Sequence, residues 1–116
     1  MGYKRTTHTV YAVAIPGGIV KIGYSAGQRW RNFVARGARV LWLVEFPDTL
    51  AGCREALEYE SAVHRWMSER FPPGYASKAE ANAALGIGGA GFKECYAVPD
   101  PDSKMAQPLA PHMATL

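Results

Sequence analysis

Glu60 is the residue of this sequence that most demands a chemical explanation. It lies in a long helical pattern, with Ala56, Val63 and Met67 at i−4, i+3 and i+7, so its carboxylate shares the stripe that must face the core. A buried carboxylate without a partner costs several kcal/mol. A divalent cation, an arginine from an earlier helix, or His64 one turn further on would each relieve that cost. Buried ion pairs are the commoner arrangement, and a lone histidine beside a core stripe is ordinarily a packing residue. Tyr11 and Lys21 fall in short β-prone runs, where tyrosines pack and lysines reach solvent. Arg29, Asn32 and Arg36 recur at helical spacing along one edge of a Trp30, Phe33, Val34 stripe. Singly, each of these residues fits a structural role. Converging, a phenol, an ammonium, a guanidinium and a carboxylate could hold a cation and a phosphate.

The elements that must position them read clearly. Thr9 to Ile15 and Ile19 to Tyr24 are β-prone runs separated by Pro16-Gly17-Gly18, which predicts a hairpin. Ser25 and Gln28 match a capping box, so a helix is expected from about Ala26, with Gly37 closing it. The apolar run Val40 to Phe46 reads as a strand covered on both faces, central to the sheet. A long helix follows, capped near Asp48 or Thr49 and stopped by Pro72-Pro73. Ser77 to Glu80 opens a short helix, and Gly86 to Gly91 is a hinge. That glycine run neither follows a strand nor ends in Gly-Lys-Ser/Thr, so it is a poor nucleotide loop. Phe92 to Val98 completes the order as a short edge strand. The expected class is α+β, a small antiparallel β-sheet (the hairpin plus one central strand) flanked by helices. Residues 1–98 form the domain, and 99–116, with four prolines and no periodicity, read as a flexible C-terminal tail.

A chain of 116 residues holds one domain. No stretch reaches the ~20 apolar residues of a membrane span, and no signal-peptide h-region opens the chain. A cytoplasmic protein with no membrane partner is the expectation. Cys53 and Cys95 make neither a disulfide framework nor, with the three histidines, a zinc spacing. Charge is uneven. Residues 1–44 contain seven basic and no acidic side chains, among them Arg31, Arg36 and Arg39. A polyanion-binding face has this character, although an unevenly charged surface has it too.

Taken in order, Thr9-Val10-Tyr11, Lys21-Ile22-Gly23, then Ser25 and Arg29-Trp30, with Glu60 on a later helix, resemble the signature of the GIY-YIG nuclease superfamily. The lysine in the second motif, the Glu60/His64 pair and the late segment Gly91 to Tyr96 resemble its compact, phage-associated branch. The resemblance covers about residues 9–98. It implies hydrolysis of a phosphodiester bond, in DNA first with RNA left open, using Mg²⁺ or Mn²⁺. It implies that Tyr11 aligns or deprotonates the attacking water, and that Lys21 holds that water and keeps the phenol's pKa low. Arg29 would stabilise the phosphorane and Glu60 would ligate the metal. His64 matches a catalytic position, and Gly23, Ser25 and Glu94 match supporting ones. The active-site asparagine of several relatives has no clear counterpart. A chain this short leaves recognition to loose specificity, a protein partner or a homodimer. The same fold without turnover, a nucleic-acid-binding module, is the alternative. A third possibility, partner binding through Trp30, Trp42 and Trp66, needs one of them in an exposed apolar patch.

One geometric condition follows. A two-residue turn at Gly17-Gly18 would place Tyr11 and Lys21 on opposite faces, because strand side chains alternate. A three-residue loop, Pro16-Gly17-Gly18, puts them on one face and is the predicted form.

Overall fold

The computed structural model describes residues 7–85, 91–105 and 107–108. Two strands, β1 (His8–Ile15) and β2 (Ile19–Ala26), form the hairpin. Ile15 pairs with Ile19, so Pro16, Gly17 and Gly18 are the loop, and both glycines carry positive φ. Tyr11 therefore pairs with Gly23, and Val13 with Lys21. Tyr11 and Lys21 share a face, as the odd-length loop requires.

The sheet is antiparallel and four-stranded, in the order β3-β1-β2-β4, with β3 at Arg39–Phe46 and β4 at Cys95–Ala97. The expectation of a central third strand is corrected, since the hairpin itself is central and β3 is an edge. Its apolar run arises because side chains on both of its faces meet core, Leu41, Val44 and Phe46 on one side and Leu43 on the other. Residue composition reports covered faces and is silent about a free edge. That edge carries exposed Arg39 and Glu45, and a register shift lies opposite Ala12 and Val13, features that discourage edge-to-edge pairing.

Helix α2, Leu50–Arg70, covers one face of the sheet, with Thr49 accepting the Gly52 N–H as its cap. Its buried stripe of Ala56, Tyr59, Val63 and Met67 packs on Val10, Ala12, Val20 and Ile22. The other face is covered by the short helix α1, Arg31–Val34, and by α3, Lys78–Leu85. Phe33, Ala81 and Tyr75 pack there against Tyr11, Val13 and Ile15. The tryptophans all join one of the two cores, Trp42 buried and Trp30 and Trp66 partly so. Among the described residues no helix is long and apolar enough to cross a membrane.

Two further expectations change. The first helix does not begin at Ala26, because β2 pairing runs on to His8–Ala26 and Gly27 donates to the Thr7 carbonyl. Sheet hydrogen bonds outcompete the capping box there, and the Ser25 hydroxyl accepts the Arg29 N–H, one residue beyond the position a box would use. The tail expected from residue 99 is anchored at its start. A helical turn, α4 (Pro101–Lys104), places Met105 in the main core, and Arg39 pairs with Asp102. Residues 109–116, and residues 86–90 of the expected hinge, lie outside the described part. Met105→Ala should lower stability by about 2 kcal/mol or more, since the buried side chain fills core volume. Urea denaturation measures it, and an unchanged midpoint would show that the anchor contributes nothing.

Candidate active site

The site forms where β2 loses its outer neighbour. Along β2, β4 reaches just Ile19, Val20 and Lys21, and before it the chain turns away through a single 3-10 turn, Phe92–Glu94. Gly23 lies just past that point. A Cβ built on it would fall 2.4 Å from the Tyr11 hydroxyl oxygen, so the phenol lies across the bare glycine backbone. The Tyr11 ring packs on Phe33, with ring centroids 6.0 Å apart.

Lys21 is almost wholly buried, and its Nζ lies 2.7 Å from Glu94 Oε1. The ammonium also stands 5.9 Å from the Tyr11 ring centroid and 5.5 Å from that of Phe33. A buried lysine needs such a partner, because desolvation penalises its charge. Arg29 is exposed, with its backbone held by Ser25, which is fully buried. Tyr11, Lys21, Tyr24, Arg29, Asn32 and Glu94 line an open cavity of about 340 Å³.

Glu60 and His64 approach from α2. Glu60 Oε2 is 3.4 Å from His64 Nε2, and Glu94 Oε2 is 3.9 Å from the same nitrogen. One ligand atom from each of Glu60, His64 and Glu94 lies within 4.8 Å of the others, a separation that one metal ion can span. Glu60 is partly open to solvent, and among the described residues its ion-pair partner is His64, with no arginine. Glu94 thus belongs to the cavity and to the cluster. Of the four groups expected from the sequence, Tyr11, Lys21 and Arg29 line the cavity, whereas Glu60 is not part of its lining and meets it through the cluster it forms with His64 and the cavity-wall residue Glu94.

Electrostatics reverses one expectation. Lys21 was expected to hold the Tyr11 phenol's pKa low, yet that pKa is raised, first by burial and then by the Glu94 and Glu60 carboxylates. Arg29 is the group that pulls it down. The Lys21 charge is neutralised by Glu94 at contact distance. Tyr11 is therefore a protonated phenol at neutral pH in the protein alone.

The remaining predicted residues take simpler places. Arg31 and Arg36 are exposed around α1, Arg31 lying over the Trp30 ring at 5.5 Å. Arg39 is exposed but paired with Asp102. Sequence reasoning missed Tyr24 and Asn32 as cavity walls. The signal that could have found Asn32 is its helical spacing from Arg29. Tyr24 carried no signal; its hydroxyl bonds His8 Nδ1 at 2.7 Å and contacts Cys53 Sγ at 3.6 Å.

Both cysteines are free. Burial pushes the Cys95 thiol up to about 11, against the lowering effect of Lys21. Cys53 is the more exposed. At pH 8 a thiol-reactive chromophore should therefore label one cysteine quickly in the native protein and two after unfolding. Because the folded-state thiol pKa is raised, this stabilising contribution is complete below the unfolded thiol's pKa of ~8.5 and is lost as pH climbs through about 11. Two fast native thiols would contradict the burial.

Comparison of the chain with protein-family models, with curated proteins and with solved structures finds no significant match in any of the three.

Proposed function

We propose that this protein is a divalent-metal-dependent endonuclease that hydrolyses phosphodiester bonds, with DNA as its substrate, in the manner of the GIY-YIG superfamily. One observation carries the reading. Tyr11, Lys21 and Arg29 converge on a cavity whose wall, Glu94, is shared with a Glu60–His64 cluster of metal-ligand spacing. Supporting it, the Tyr11 phenol crosses the bare Gly23 backbone, which gives a role to the glycine of the second motif.

The roles follow from the chemistry of each group. Tyr11, kept protonated, hydrogen-bonds the attacking water and fixes its line of approach to phosphorus, while the proton that water sheds passes through solvent in the open cavity to the departing oxygen. Arg29 offers planar donors to the oxygens that gain charge as the P–O bond breaks, and it is free to move because it is exposed. Lys21 and Glu94 form one buried pair that holds the wall of the cavity in place. Glu60 supplies a carboxylate for the cation. A bound Mg²⁺ or Mn²⁺ would polarise the phosphate and neutralise the leaving oxygen. Arg31 and Arg36 extend the basic surface along which a phosphate backbone would lie.

A second reading is kept because the Lys21 ammonium is neutralised and the phenol is protonated. A nucleic-acid-binding module without turnover would have the same walls. A nicking assay on supercoiled plasmid, run beside a binding titration at several salt concentrations, separates the two. The nuclease reading expects nicked circles with Mg²⁺ or Mn²⁺ and none with EDTA. Salt-sensitive binding with intact plasmid under every metal condition would leave the binding module standing in its place.

A further inference from the structure

The histidine of the cluster carries more information than its distances alone. The Tyr96 hydroxyl lies 2.7 Å from His64 Nδ1 and 3.4 Å from the His64 carbonyl oxygen, to which it donates. A hydroxyl has one proton, so with that proton on the carbonyl the oxygen accepts from Nδ1–H. In the neutral ring Nε2 then presents a lone pair. That nitrogen is sealed from solvent and makes no hydrogen bond. The Glu60 oxygen at 3.4 Å is near enough for an ion pair but lies off any hydrogen-bond direction. In that tautomer two carboxylate oxygens and an imidazole lone pair face one another, all within 4.8 Å. Such a convergence is repulsive unless a cation occupies it. Orientation is fixed on every side. Lys21 holds the other Glu94 oxygen, Tyr96 holds the other ring nitrogen, and α2 places Glu60 and His64 one turn apart on the same face.

We infer that His64 Nε2 and Glu94 join Glu60 as ligands of a single divalent cation, and that this two-carboxylate, one-imidazole set selects a first-row transition ion such as Mn²⁺ over Mg²⁺. The chemistry of the donors carries the selectivity. Mg²⁺ prefers an all-oxygen shell and keeps its waters, whereas imidazole nitrogen suits the transition ions. Tyr96 is then a positioning residue, fixing the tautomer that a ligand histidine needs. The inference rests on the nuclease reading for what the ion does there, but binding of the ion is measured without nucleic acid.

The test uses the full chain freed of metal by EDTA and dialysis. Calorimetric titration should give one Mn²⁺ per chain, bound at least about tenfold more tightly than Mg²⁺. Pulsed electron paramagnetic resonance of the Mn²⁺ complex should show modulation from one directly bound ¹⁴N, absent in His64→Gln. Tyr96→Phe keeps the ring in the core and should weaken Mn²⁺ by about ten- to hundredfold, with the circular dichroism spectrum unchanged. Equal affinity for Mn²⁺ and Mg²⁺, or no nitrogen modulation in the native protein, would overturn the inference. So would an imidazolium signature for His64 in ¹⁵N NMR that Mn²⁺ does not alter, since the histidine would then be a plain ion-pair partner. Nicking without nitrogen coupling would remove this inference and spare the nuclease. Nitrogen coupling without cleavage of any nucleic acid would do the reverse.

Discussion

Glu60→Gln should abolish metal-dependent nicking, with kcat down on the order of 10³-fold, and leave the fold in place. The carboxylate is the negatively charged ligand furthest from other commitments. Glu94 shares its charge with Lys21 at 2.7 Å, while the ion-pair partner of Glu60 among the described residues is His64. Glutamine keeps the size and a hydrogen-bonding oxygen but removes the charge that would hold the proposed divalent cation. A metal supplies several kcal/mol of transition-state stabilisation, and each ~1.4 kcal/mol is a factor of ten in rate. Because Glu60 is partly open to water, the neutral side chain leaves no buried charge unpaired, and the melting temperature should move little. Plasmid nicking at several Mn²⁺ concentrations, with thermal melting as the control, is the measurement. A variant that cuts at the wild-type rate would remove Glu60 from the chemistry. A variant that unfolds instead would mark the Glu60–His64 contact as structural.

Gly23→Ala should reduce kcat by about 10²-fold with nucleic-acid binding nearly unchanged. The added methyl would sit 2.4 Å from the Tyr11 hydroxyl oxygen and 2.5 Å from the ring carbon that bears it. No side chain tolerates that approach, so the phenol must swing away by roughly 1 Å, a misplacement worth about a hundredfold where alignment is the catalytic contribution. The backbone of Gly23 has no positive φ, and alanine is accepted in a strand there. Damage is therefore confined to the direction of one ring. Coupling gives the sharper readout. Tyr11→Phe removes the hydroxyl that the methyl displaces, so adding Gly23→Ala to it should cost little more. Additive losses would mean that Gly23 acts through something other than Tyr11.

How far the site was legible depends on which contacts are local. The hairpin and its register were readable because Pro16-Gly17-Gly18 is a strong turn signal and strand side chains alternate with period two. That period puts Tyr11 and Lys21 on one face if the loop is odd in length, the condition that the resemblance imposes. Glu60 stood out because a carboxylate on an apolar helical stripe violates the pattern, and His64 lies within one turn of it. The first helix was misplaced because local capping at Ser25 competes with sheet hydrogen bonds to Thr7 and His8, and nothing within the segment reports the strand beside it. The edge position of β3 and the anchoring of Met105 were invisible for the same reason: both depend on partners dozens of residues away.

By itself, then, the order of residues determined the α+β class, the hairpin and the short roster of groups able to do chemistry, while the pairing of Ile15 with Ile19 decided the loop length. These follow from spacing along the chain, which turns and periodicities convert directly into faces. Only the tertiary structure decided how the groups combine. Lys21 is tied to Glu94 across 73 positions, and His64 to Tyr96 across 32. The phenol's pKa is raised, first by burial and then by two carboxylates, when a neighbouring cation was expected to lower it. Coulomb energies and hydrogen bonds depend on distance through space, and folding sets that distance by packing distant segments against one sheet edge.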